Sequence, residues 1–148
     1  GRLDLGVVTL PVAAAQGLSF QSWQSDELRL IVPPGDPLAG QSTFPWSALS
    51  GRPLVLFEAG TAVRRLIDDA LAEAGVVPQI AMELRSIESI KQMVGQGIGA
   101  GFVSRHALPD GGGLRPAAGR SLTRQLAICQ RADRAPSAAA RAFLACMA

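Results

Sequence analysis

Apolar positions along the chain fall into short runs separated by glycine, proline and polar clusters, which is the spacing of alternating strands and helices. Residues 3–8 (LDLGVV) read as a strand that ends ahead of Pro11, followed by a loop of small, Gln and Ser residues. Residues 27–32 (ELRLIV) form a second β-rich run, stopped by Pro33-Pro34-Gly35. Residues 36–51 are turn-rich and read as a connector with at most one helical turn, near 46–49. From Pro53 the pattern becomes regular: a strand over 54–57, a helix over 62–74 stopped by Gly75, and a strand over 79–84. A second helix begins behind Ser86 as N-cap, sets Ile87, Ile90 and Val94 on one side, and ends at Gly95 and Gly97. A strand over 99–104 follows. Beyond the glycine-rich turn at Gly111, Gly112 and Gly113, a strand over 125–130 and a terminal helix over 137–147, capped by Ser137, complete the pattern.

The strand-helix-strand-helix-strand order of 53–104 predicts parallel pairing with right-handed crossovers, and hence one small α/β lobe. Its predicted core comprises residues 54–57 with Ile67, Leu71, Ile90, Val94 and Phe102. The flanking segments, 3–32 and about 114–148, are each too short for a second lobe but together contribute to one, so the chain is expected to cross between two lobes twice.

Composition narrows the function classes. A hydrophobic share of 48% over 148 residues is ample for a buried core, and no apolar stretch reaches the roughly 18 residues of a membrane span. Fourteen basic and twelve acidic residues leave a net charge of +2, with the arginines scattered rather than gathered into a stripe for nucleic-acid phosphates. Cys129 and Cys146 sit in apolar surroundings without CxxC spacing, the pattern of reduced, packed thiols and a cytoplasmic protein. The chain opens at Gly1 with a strand at once, as a fragment does.

No catalytic set emerges. His106 is the single histidine and lacks the partners a metal site needs, so neither metal nor cofactor is expected. GxSxG is absent, and Ser104 lies too close in sequence to His106 for nucleophile and base. Gly95, Gly97, Gly99 and Gly101 alternate instead of matching a phosphate-loop or dinucleotide fingerprint. On the first helix, spacing of four pairs Arg64 with Asp68 and Arg65 with Asp69. Residues 58–64 (EAGTAVR) join a strand end to a helix start, where backbone N–H groups and the helix dipole favour an anion that Thr61 and Arg64 would complete. Thr61 as an ordinary N-cap and Arg64 as an ordinary exposed cation fit the same residues. Loops after strand ends, at 9–11, 58–61, 85–86 and 104–105, are positioned to converge on one cleft.

Taken together, residues 1–8 (GRLDLGVV), 27–40 (ELRLIVPPGDPLAG), 53–62 (PLVLFEAGTA) and 86–104 (SIESIKQMVGQGIGAGFVS) resemble, in order, blocks of the effector-binding region of LysR-type transcriptional regulators. The resemblance implies an α/β, two-lobe, periplasmic-binding-protein-like (type 2) architecture with the first lobe incomplete: 1–32 and 114–148 in the partial first lobe, 33–113 in the second lobe with its hinge connections. It implies an effector-sensing domain, not an enzyme, that takes a small carboxylate-bearing metabolite through Thr9, Thr61, Arg64 and Ser104. DNA would be reached only through an N-terminal winged helix-turn-helix outside this sequence. A homo-oligomer, with no membrane partner, is expected; helix 62–74 and strand 79–84 match family elements used in antiparallel dimer packing. A solute-binding protein of a transport system is the alternative with the same architecture.

Overall fold

The computed structural model describes residues 3–12 and 16–147. Two compact units are distinguished, Gly1–Ser25 with Gln125–Ala148, and Asp26–Arg124.

In the first unit, strand β1 (Leu5–Thr9) pairs antiparallel with β8 (Thr123–Arg131), setting Leu5 opposite Gln130 and Thr9 opposite Leu126. Strand β8 lies between β1 and β2 (Leu18–Ile31), whose first half belongs to this unit. Helix α3 (Ala138–Cys146) follows the expected Ser137 cap, which accepts from the Ala140 N–H. The loop expected after Pro11 is shorter than the sequence pattern suggested, because β2 starts at Leu18. Its first half has mostly solvent-facing side chains and is held by strand pairing, so it shows no apolar alternation. Cys129 is half-buried and Cys146 exposed, both as free thiols, which corrects the expectation that both are packed.

In the second unit the strand order is β2, β6 (Ala100–Ser104), β4 (Pro53–Phe57) and β5 (Gln79–Leu84). Strands β6, β4 and β5 run parallel as expected, and β2 joins antiparallel with Leu28 opposite Ser104. Helix α1 (Ala62–Glu73) ends at Gly75, whose φ of 68° admits the left-handed cap: Gly75 N–H reaches Ala72 O and Val76 N–H reaches Leu71 O. Helix α2 (Ile87–Gly95) approaches the sheet closely because Gly101 lacks a side chain. A Cβ there would stand 2.9 Å from Ile90 Cγ2 and 3.0 Å from Val55 O.

The predicted core residues are buried, and the supposed connector contributes to the same core. Short strand β3 (Thr43–Phe44) pairs parallel with β7 (Arg115–Pro116), and a 3₁₀ turn spans Trp46–Leu49. These place Phe44 edge-on to Trp46 at 5.2 Å between ring centroids and 6.2 Å from Phe102. Among the described residues no helix is long and apolar enough to cross a membrane, and no group of three or more His, Cys, Asp or Glu is arranged to hold a metal.

Candidate functional site

Parallel pairing puts the carboxyl ends of β4, β5 and β6 on one edge of the second unit. From that edge leave the loop 58–61 into α1, the link 85–86 into α2, and the turn 105–107. In open α/β sheets this is the edge where ligands collect, because loops and helix N-termini present unpaired polar groups there.

The loop 58–61 is tied down on every side. Thr61 Oγ1 donates to Glu58 O at 3.0 Å and accepts from Arg64 N–H at 3.2 Å, so it is the N-cap of α1. Ala59 N–H reaches Glu83 Oε2 at 3.4 Å, and Arg85 Nε donates to Glu58 Oε2 at 2.7 Å. Arg64 is buried rather than exposed: Nε donates to Asp68 Oδ1 at 2.9 Å, and Nη1 to Phe57 O at 2.7 Å and Glu83 Oε1 at 3.0 Å. Burial works against its charge, but the hydrogen bonds and attraction of Asp68 and Glu83 outweigh this and raise its pKa above the usual guanidinium value. Glu83 is correspondingly held below the usual carboxylate range, first by Arg64 and then by the Ala59 N–H. No acidic residue occupies the first turn of α1, whereas α2 has Glu88 there.

Ser104, the last residue of β6, is also buried. Its Oγ donates to Asp26 Oδ1 at 2.9 Å and accepts from His106 N–H at 3.2 Å. Asp26, only 1% exposed, takes two further charge-assisted bonds at Oδ2 from Arg124 Nε and Nη2, both at 2.8 Å. His106 Nε2 stands 3.9 Å from Asp26 Oδ1.

The structure thus brings Thr61 and Arg64 into one loop-helix junction and sets Ser104 on the same strand-end edge. Thr9 lies in the other unit, at the end of β1. Sequence reasoning passed over Asp26, Arg124 and Glu83; only the local position of Asp26 just ahead of an apolar strand run offered a signal.

The LysR substrate binding domain family matches residues 1–148. The chain belongs to this family. As a LysR effector-binding domain it has the type 2 periplasmic-binding-protein-like α/β fold of its structural neighbours. A probable RuBisCO transcriptional regulator from Cyanophora paradoxa is 35% identical over 113 residues, 73% of this chain and 35% of the relative. The CcmR regulatory domain of Synechocystis PCC6803 in complex with 2-PG superposes with a TM-score of 0.76 at 25% identity, covering 97% of this chain and 71% of that one. The effector binding domain of QuiR in complex with shikimate gives 0.81 at 18%, covering 97% and 69%. The chain spans about a third of the length of the curated relatives it matches. Those relatives carry the name of probable RuBisCO transcriptional regulators.

Proposed function

We propose that this LysR domain senses a small anionic, carboxylate-bearing metabolite through the loops at the carboxyl edge of β4, β5 and β6. Thr61 and Ser104, whose O–H groups now rest on Glu58 O and Asp26 Oδ1, are the hydroxyls on that edge that would turn to the effector, and Arg64 positions the 58–61 loop. Thr9, at the end of β1, is proposed as a further hydrogen-bonding residue. The observation that carries this reading is the convergence of the strand-end loops on one edge, with Thr61 capping a helix whose first turn has no acidic residue of its own. The LysR match, and relatives solved with 2-PG and shikimate, support a small-molecule effector. The proposed lobes are 1–32 with 114–148, and 33–113, and the residues carrying regulation act as a homo-oligomer. Effector occupancy shifts the equilibrium between arrangements of that oligomer, which an N-terminal winged helix-turn-helix converts into altered promoter contact.

The test is a thermal-shift and calorimetric titration with 2-PG, shikimate and a panel of small carboxylates, repeated on Thr61→Val and Ser104→Ala. A saturable rise in Tm with one carboxylate, reduced in both variants, is the expected result. Unchanged responses in both variants remove Thr61 and Ser104 from the site, and no response to any carboxylate removes the anionic-effector reading.

A further inference from the structure

A cavity of about 390 Å³ lies wholly within the second unit, apart from Thr61, Arg64 and Ser104, with Arg29, Arg105, His106, Asp110, Gly111 and Gly112 among its lining residues. Its volume is within the range of about 300–1,000 Å³ usual for small-molecule sites. The wall is built rather than incidental. Gly113, at φ 73°, is packed so closely that a Cβ there would stand 2.6 Å from Arg29 Cβ and 2.8 Å from Leu108 Cδ1. Gly112 N–H closes the turn on Pro109 O at 2.8 Å, and Gly112 O accepts from Arg29 Nη1 at 3.3 Å.

The charges are unevenly matched. Arg29 is 8% exposed and shares Glu27 with Arg115: its Nη2 is 3.0 Å from Glu27 Oε2, while Arg115 Nε is 3.3 Å from Oε1. Arg105 Nε donates to His106 Nε2 at 3.4 Å, and its guanidinium has no carboxylate at ion-pair distance among the described residues. Asp110 adds one carboxylate to the lining. The charged side chains among the lining residues are thus Arg29, already paired with Glu27, Arg105 without an ion pair, and Asp110, and the planar fork of arginine suits tetrahedral and planar oxyanions.

We propose that this cavity is a second anion site that takes a phosphate group, free or carried on a small metabolite, with Arg105 and the buried Arg29 as its donors. None of Thr61, Arg64 and Ser104 lines it, although Arg105 and His106 belong to the turn 105–107 that leaves the same carboxyl edge, so the variants are chosen to separate the two readings.

The experiment is isothermal titration of the 148-residue chain with inorganic phosphate, glycerol phosphate and glycerol at constant ionic strength. One saturable phosphate site per chain, with a dissociation constant of roughly millimolar or tighter, is expected. Arg105→Gln, a surface change that leaves the fold intact, should weaken it about tenfold, and Glu27→Gln, which removes the competing carboxylate, should tighten it. Thr61→Val should leave phosphate binding unchanged. Tighter binding of glycerol phosphate than of free phosphate supports a metabolite-borne group, and the reverse order supports the free ion. Absence of saturable phosphate binding, full affinity in Arg105→Gln, or loss in Thr61→Val overturns the proposal.

Discussion

Asp26 offers the sharpest test of how the strand-end edge is held. Its carboxylate is 1% exposed and takes one bond from Ser104 and two from Arg124, whose side chain is 17% exposed. Removing one partner of a buried ion pair costs about 3–5 kcal/mol, since the remaining charge stays desolvated. Arg124 retains some solvent contact, so Asp26→Ala belongs at the lower end, about 3 kcal/mol. Asp26→Asn keeps one acceptor and should cost about 2 kcal/mol. Arg124→Met strands a more deeply buried carboxylate and should cost at least as much as Asp26→Ala. Urea denaturation at neutral pH, followed by circular dichroism and tryptophan fluorescence, measures each variant. Combining Asp26→Asn with Arg124→Met should cost less than the two separate losses together, because each single change leaves a charge that the double change removes. An Asp26→Asn variant within about 0.5 kcal/mol of the parent, or strict additivity in the cycle, refutes the assignment of this pair as a buried strut.

Other outcomes follow from the same geometry. Phe44→Ala, at a fully buried position against Trp46 and Phe102, should destabilise the second unit by about 3–5 kcal/mol and shift tryptophan emission, as read in urea melts. Gly113→Ala should cost about 2 kcal/mol or more in the same assay, since the added Cβ meets Arg29 and Leu108 at a left-handed φ. The folded-state pKa of Glu83 is depressed, so its stabilising contribution is complete above the unfolded glutamate pKa and is lost as pH falls through the folded one. Stability measured over an acid pH series should therefore fall less steeply for Glu83→Gln than for the parent, and parallel curves contradict the Arg64 tie.

Much of the 53–104 segment was legible because its signals are local. The strand Gln79–Leu84, the Ser86 cap, and the glycine at the end of α1 each declare themselves within a few residues. The first half of β2 did not, because its pairing with β8 leaves most of its side chains in solvent and no apolar period forms. Phe44, Trp46 and Leu49 looked like turn residues until β3 and β7 brought that stretch onto Phe102. In the site, the strand-end positions of Thr61 and Ser104 were readable, but their neighbours were not. The partner that buries Ser104 lies 78 positions away, and Arg64 is buried by a carbonyl and carboxylates from three different elements.

That burial changes what charge can contribute at the proposed effector edge. Arg64 is compensated by Asp68 and Glu83, and Asp26 by Arg124, so an anion at the α1 end meets mainly backbone N–H groups and a helix dipole, with the Thr61 hydroxyl available only if it leaves Glu58 O. A dipole at a helix terminus is worth about 0.3–1 kcal/mol at an exposed site, and specificity there must come chiefly from hydrogen bonding. The cavity lined by Arg29 and Arg105 instead presents in Arg105 a guanidinium with no carboxylate at ion-pair distance among the described residues, while Arg29 is paired with Glu27 and Asp110 shares the lining. Raising ionic strength shortens the screening length from about 10 Å at 0.1 M to about 3 Å at 1 M. Phosphate affinity at the cavity should therefore fall steeply with added sodium chloride, and carboxylate affinity at the edge only shallowly. Calorimetric titrations at several salt concentrations compare the two slopes. A carboxylate response as salt-sensitive as the phosphate one would mean that Arg64 meets the effector as a free charge, against the geometry that ties it to Asp68, Glu83 and Phe57.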